Sequence, residues 1–282
     1  MVIPALNIWW VRIVAMIGVV LAPSLVLGMV VTGEDAVIQI QSMVYGLCVV
    51  AMISFEVLRP NGHAVASGII PTKMSTKLTS LGILWALISI AVIAVVAVVL
   101  GGTIVPVATM LEPSAISTVI LFAIGEEVLF RGTIFRAVEE RFSPTMAVLA
   151  TSLPFALVHL SNPGSSWISA VNVFLAGVAL GTSVALTRSL WTAIGFHVVW
   201  NLGIAFLFGF VSGMDLPIDA YVLNTSGIAP SLRWLVDGSF GVEDGALTTV
   251  LLIIATIGMQ RLRIFDPYVQ AARYQQQLSL TR

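Results

Sequence analysis

Charge is what this chain has least of. Asp, Glu, Lys and Arg make up 10% of its 282 residues, hydrophobic residues make up 58%, and the mean hydropathy is +1.03. Soluble domains carry about 25% charged residues, so the composition excludes that class and points to an all-α, polytopic membrane protein. A net charge of −1 gives no electrostatic reason to expect nucleic acid as a partner; the lipid bilayer is the expected surroundings. One cysteine, Cys48, excludes an intrachain disulfide and a Cys-based metal site. Several catalytic patterns are also missing. There is no HExxH, no GxSxG and no credible phosphate-binding glycine loop. Gly181-Thr182-Ser183 is a fragment of a nucleophile motif and reads as a small-residue packing patch. No aspartate falls inside an expected span, which removes an intramembrane aspartic dyad.

Apolar windows of about 20 residues each can be drawn along the chain. They are Ile8–Val31, Val37–Leu58, Leu81–Val105, Ser117–Arg141, Thr145–Leu160, Trp167–Leu186, Trp191–Phe210 and Ala246–Gln260. That predicts about eight transmembrane helices in a single domain over 1–282, the fifth and eighth being short. The N-terminal apolar run lacks a basic flank and is too long for a signal-peptide core, so it reads as a retained first span. Arg12, Arg59, Lys73, Lys77, Arg136, Arg141, Arg188, Arg261, Arg263, Arg273 and Arg282 then fall on one side. The other side holds only Arg233 among basic residues, with Glu34, Asp35, Glu112, Asp215, Asp219, Asp237, Glu243 and Asp244. The asymmetry predicts a multi-pass plasma-membrane protein with both termini cytoplasmic, and makes Gly213–Gly245 the main external loop.

Against this background the stretch AIGEEVLFRGTIFRAVEERF, Ala123–Phe142, places Glu126, Glu127 and Arg131 at membrane depth, where ionisable groups are costly and tend to be functional. Glu127 and Arg131 are four apart with the acid N-terminal, the favourable order for a helical ion pair. Glu126 points roughly 100° away and needs partners from other helices. His63 reads as a solvated loop histidine. His159 closes PFALVH, with Phe155 one turn before it on the same face, and His197 opens HVVWN, with Asn201 one turn after it. Counting residues from the charged ends puts Glu126 and His159 ~14 Å deep and His197 ~13 Å deep. Three helices thus bring an acid and two imidazoles to one level.

Such a set can activate a water and stabilise an oxyanion. Glu126 would act as base with His159 holding the same water, and His197 with Asn201 would face the carbonyl oxygen. Alternatively Glu126, His159 and His197 make a three-ligand zinc site with an open position for water, leaving Glu127 as the base despite its pairing with Arg131. Spacing leaves both open.

Glu126-Glu127-x-x-x-Arg131, Phe155-x-x-x-His159 and His197-x-x-x-Asn201, in that order on successive helices, resemble the three motifs of the CPBP family. That family groups CAAX prenyl endopeptidases of the Ras-converting type with bacteriocin-processing and self-immunity membrane proteins. The likeness covers Ser117–Phe210, and GSFGVEDGALTTV from Gly238 resembles the family's approach to its last span. The resemblance implies an eight-helix intramembrane endopeptidase with a polar chamber open to the cytosol. Its 117–210 core carries the site, and its substrate is a membrane-anchored peptide or protein. By position it makes Glu126 and His159 the water-activating pair and His197 with Asn201 the oxyanion site, supported by Glu127, Arg131 and Phe155. The family is often called metalloprotease, yet a metal-free glutamate mechanism is also proposed for it. The metal-free form is favoured here, since no spare carboxylate remains to act as base beside zinc. Two other classes of function remain: a non-catalytic immunity scaffold keeping the polar cluster for helix packing, and a proton-coupled transporter. Against the transporter, no paired broken helices occur in matching halves.

Overall fold

The computed structural model describes residues 68–107, 112–218 and 220–261, with scattered helical positions between 10 and 18 and between 40 and 54. The first two expected spans lie mostly outside the described residues, as does His63.

A mostly polar start, Ser75–Ser80, followed by an apolar run makes α1 (Ser75–Val99), which ends at Gly101. There the backbone turns into a positive φ of 104°, and a Cβ would lie 2.8 Å from the carbonyl oxygen of Gly227. Glycine is the residue that tolerates both conditions. The expected window Leu81–Val105 starts about two turns late because the polar residues Ser75–Ser80 carry no apolar signal, and it overruns its end because hydropathy alone does not register a glycine stop. Beyond it Thr103–Pro106 is a short strand, β1. Then come α2 (Pro113–Glu139), α3 (Pro144–His159), α4 (Trp167–Thr187), α5 (Trp191–Phe208) and α6 (Ala246–Arg261). α1, α2, α4 and α5 are long and apolar enough to cross a membrane. α3 and α6 have 16 residues each and run ~24 Å, short of a ~30 Å hydrocarbon core.

Small residues decide how the helices meet. A Cβ on Gly82 of α1 would lie 2.1 Å from the Thr192 carbonyl oxygen, and one on Gly195 of α5 would lie 2.5 Å from that of Thr79. The two backbones touch, which is how membrane helices gain dispersion contact without a hydrophobic driving force. Gly177 of α4 sits in the same way against Ser152 of α3, and Gly181 packs on Val148. Ser183 is buried and donates to the carbonyl of Leu180, 2.7 Å, so the Gly-Thr-Ser fragment lies in helix packing. Phe135, Phe155, Leu180, Leu190 and Ile204 fill the centre. Leu84, Leu87, Leu149, Leu153 and Leu157 point outward, as lipid-facing positions do.

The connection between α5 and α6 carries short strands and turns among its described residues. Phe210–Val211 (β2) pairs with Met214–Asp215 (β3), and Tyr221–Asn224 (β4) runs antiparallel to β1. A 3₁₀ turn, Gly241–Asp244, leads into α6. Asp244 caps the N-terminus of α4, accepting from the Ser166 hydroxyl and from the Ser169 N–H at 2.9 Å. Asn172 of α4 donates to the carbonyls of Glu243 and Gly245, at 2.8 and 3.0 Å. The turn is thereby stitched to the helix bundle.

Candidate active site

Halfway along α2 the helix changes pitch. Glu127–Ile134 is π-helical and buried throughout. Such segments are rare and are found mostly at functional sites. Widening the turn reduces the angle between successive side chains below the α-helical value, and Glu126 and Glu127 both reach the same ring on α5. His197 Nδ1–H donates to Glu127 Oε1 at 2.8 Å, while its Nε2 faces Glu126 Oε2 at 3.6 Å. The second separation is too long for a hydrogen bond.

Glu127 Oε1 also accepts from Arg131 Nη1 at 2.9 Å, and both side chains are fully buried. The Arg131 guanidinium lies 4.2 Å from the centroid of Phe155, a cation–π contact that partly replaces its lost hydration. The Phe155 ring also meets His159 at 4.7 Å and His197 edge-on at 6.1 Å. Its backbone carbonyl accepts from His159 Nδ1 at 2.8 Å. A carbonyl only accepts, so Nδ1 carries the proton and Nε2 of neutral His159 keeps its lone pair. Phe155 thus orients both histidines and supports the arginine.

His159, His197 and Asn201 line one cavity, walled further by α4 and α6. Glu126 is about a quarter exposed and meets His197; between Glu126 and His159 there is no ion pair among the described residues. Nor do the described residues contain a group of three His, Cys, Asp or Glu spaced to hold a metal ion. Glu126, His159 and His197 are not gathered around one point as zinc ligands. His197 has one ring nitrogen committed to Glu127 and the other turned to Glu126.

One chamber residue stands among the expected external-loop acids rather than among the expected site residues. Glu243, in the turn before α6, lines the same cavity. Its Oε1 accepts from the Trp200 indole N–H at 3.1 Å and its Oε2 from the Ser212 backbone N–H at 2.6 Å. Burial pushes this carboxyl up from the usual carboxylate range, and those two donors oppose the shift. The signal in the sequence was an acidic pair, Glu243-Asp244, directly before an apolar helix. It read as loop charge because depth cannot be assigned to a loop residue by counting.

Residues 108–203 match a family described as Type II CAAX prenyl endopeptidase Rce1-like. Among curated proteins no match is found. The matched stretch contains the glutamate pair and Arg131 on α2, Phe155 and His159 on α3, and His197 and Asn201 on α5. Over that stretch, about a third of the chain, the protein is similar to the Rce1-like CAAX prenyl endopeptidases.

Proposed function

We propose that the protein is an intramembrane endopeptidase that cleaves a peptide bond in a membrane-anchored substrate, with Glu126 as the base that activates water. The observation that carries this reading is the contact of one imidazole, His197, with both Glu126 and Glu127, the two residues at which the π segment begins. Glu127 is tied up by Arg131 and by His197 Nδ1, leaving Glu126 as the carboxylate free for chemistry. Glu126 takes a proton from water as the new C–O bond forms. His159, oriented by the Phe155 carbonyl, presents Nε2 to the same water. His197, with Nδ1–H on Glu127, donates through a protonated Nε2 to the developing oxyanion, joined by the Asn201 amide. With Arg131 and His197 cationic and both glutamates anionic, the four groups carry no net charge. That is the least costly arrangement for such a cluster away from water. No step here is routed through a metal, and stoichiometric zinc in purified protein would replace this scheme. The charge asymmetry of the loops supports both termini in the cytoplasm, with Gly213–Gly245 outside.

The test is cleavage of a membrane-anchored reporter peptide by the purified protein in vesicles. Glu126→Gln and His159→Ala should abolish turnover while the proteins insert and fold. Full turnover in both variants would overturn the assignment. Cellular function retained by both without any cleavage would support the immunity-scaffold reading.

A further inference from the structure

One carboxyl group, Glu126, meets His197, another, Glu243, lines the cavity that His197 lines, and their surroundings differ in the way that separates an acid from a base. Glu126 is partly exposed and lies beside a histidine. Glu243 is more than nine-tenths buried and held by two neutral donors, the Trp200 indole and the Ser212 backbone, with no ion pair among the described residues. The groups facing it from neighbouring elements are His159 on α3 and His197 on α5, with uncharged Asn172 on α4 and Thr248 on α6. Asp244, next in sequence, is turned away onto Ser166, Ser169 and Ser239. The position of Glu243 is built rather than incidental. Asn172 clamps its carbonyl at 2.8 Å, Thr248 donates to the carbonyl before it at 2.7 Å, and Asp244 anchors the turn to α4. Trp200, to which it bonds, lies three residues after His197 and so shares the chamber face of α5 with His197 and Asn201.

Resting on the endopeptidase reading above, we propose that Glu243 is a second catalytic carboxyl, the general acid that protonates the leaving amine. Water attack forms the C–O bond, and Glu126 takes one water proton. The carbonyl π pair moves to oxygen and is held by His197 and Asn201. When the tetrahedral intermediate collapses, C=O re-forms and the C–N bond breaks. The nitrogen takes its proton from the Glu243 carboxyl, whose carboxylate is then held by the Trp200 and Ser212 N–H groups. Transfer of the proton on Glu126 to Glu243 through solvent restores both. The upward push that burial gives the Glu243 carboxyl keeps a proton available for this step.

The experiment compares a membrane-anchored peptide amide with the matching nitrophenyl ester, whose leaving group departs without a proton. Glu243→Gln should slow amide cleavage by ~10²–10⁴-fold, the usual worth of a general acid, and slow the ester less than ~10-fold. Glu126→Gln should stop both. Equal slowing of amide and ester by Glu243→Gln, or none, would overturn the proposal while leaving Glu126 in its role. A native protein that hydrolyses neither would overturn the endopeptidase reading itself, and a Glu126→Gln variant that hydrolyses both would overturn Glu126 as its base. If Glu243→Gln does not fold, the native kcat profile decides. An alkaline fall for the amide that is missing for the ester supports the acid, and matching profiles refute it.

Discussion

Replacing Arg131 by methionine removes the cation of a fully buried ion pair while keeping an unbranched side chain against Phe155. Glu127 would lose its 2.9 Å partner and keep only His197 Nδ1–H at 2.8 Å. Taking one member from a buried pair leaves an uncompensated charge and costs about 3–5 kcal/mol. The lost cation–π contact is worth up to ~2 kcal/mol, and methionine recovers part of it through its sulfur. At about 2–4 °C per kcal/mol for a chain of this size, the midpoint of thermal unfolding in detergent should fall by ~6–20 °C. The double variant Glu127→Gln/Arg131→Met removes both charges and should recover most of that loss. A single variant as stable as the parent would refute the pairing argument. So would a double variant no better than the single, since destabilisation would then come from packing rather than from a stranded charge.

Gly195→Val should lower stability sharply and reduce the yield of folded protein, because its Cβ would lie 2.5 Å from the Thr79 carbonyl oxygen and α1 would have to move. An unchanged melting curve would show that the helices can separate freely there. Asn172→Ala removes two donors from the carbonyls of Glu243 and Gly245. It should speed hydrogen exchange across 241–248 without altering exchange in α1, read by mass spectrometry. Asp237 lies outside the spans, and burial raises its carboxyl above the ordinary value of 3.8. The folded state then holds this proton more tightly than the unfolded state. Stability is lost as pH rises from the unfolded pKa through the folded one, and the full cost is present at neutral pH. Asp237→Asn should therefore stabilise the protein at neutral pH relative to the parent, by more than at pH 3; an equal effect at both would refute the burial cause.

Much of the helical frame is legible in the sequence because apolar length is a one-dimensional property. The bounds of α3 through α6 fall within about two residues of the expected windows, where Pro144, Gly209 and the turn chemistry around Ser161 coincide with changes in hydropathy. α1 and α2 are the exceptions: α2 starts four residues early, at Pro113, and Gly101 stops α1 for a reason set by contact with Gly227, a residue far along the chain. The Glu127–Arg131 pair follows from four-residue spacing, and it survives the change of pitch because both ends lie in the same segment. The π segment itself is invisible to a reading that assumes 3.6 residues per turn. That assumption turned Glu126 away from Glu127, whereas one ring now contacts both. Glu243 escaped for a different reason: its depth depends on a turn held down by Asp244 and Asn172.

The change of pitch gives the site its economy of parts. In a regular α-helix, one side chain from a neighbouring helix would face Glu126 or Glu127, and the other acid would need a partner of its own. Here His197 meets both, so a single imidazole links the rigid half of the cluster, Glu127 with Arg131, to the partly exposed acid. Phe155 performs a matching function on α3. Its ring supports Arg131 and its carbonyl sets the His159 tautomer, which leaves the lone pair on Nε2. Orientation of the two histidines is therefore fixed by Glu127 and by the Phe155 backbone carbonyl. A substitution at Phe155 that kept the backbone would release Arg131 before it released His159, because the ring and the carbonyl hold different partners.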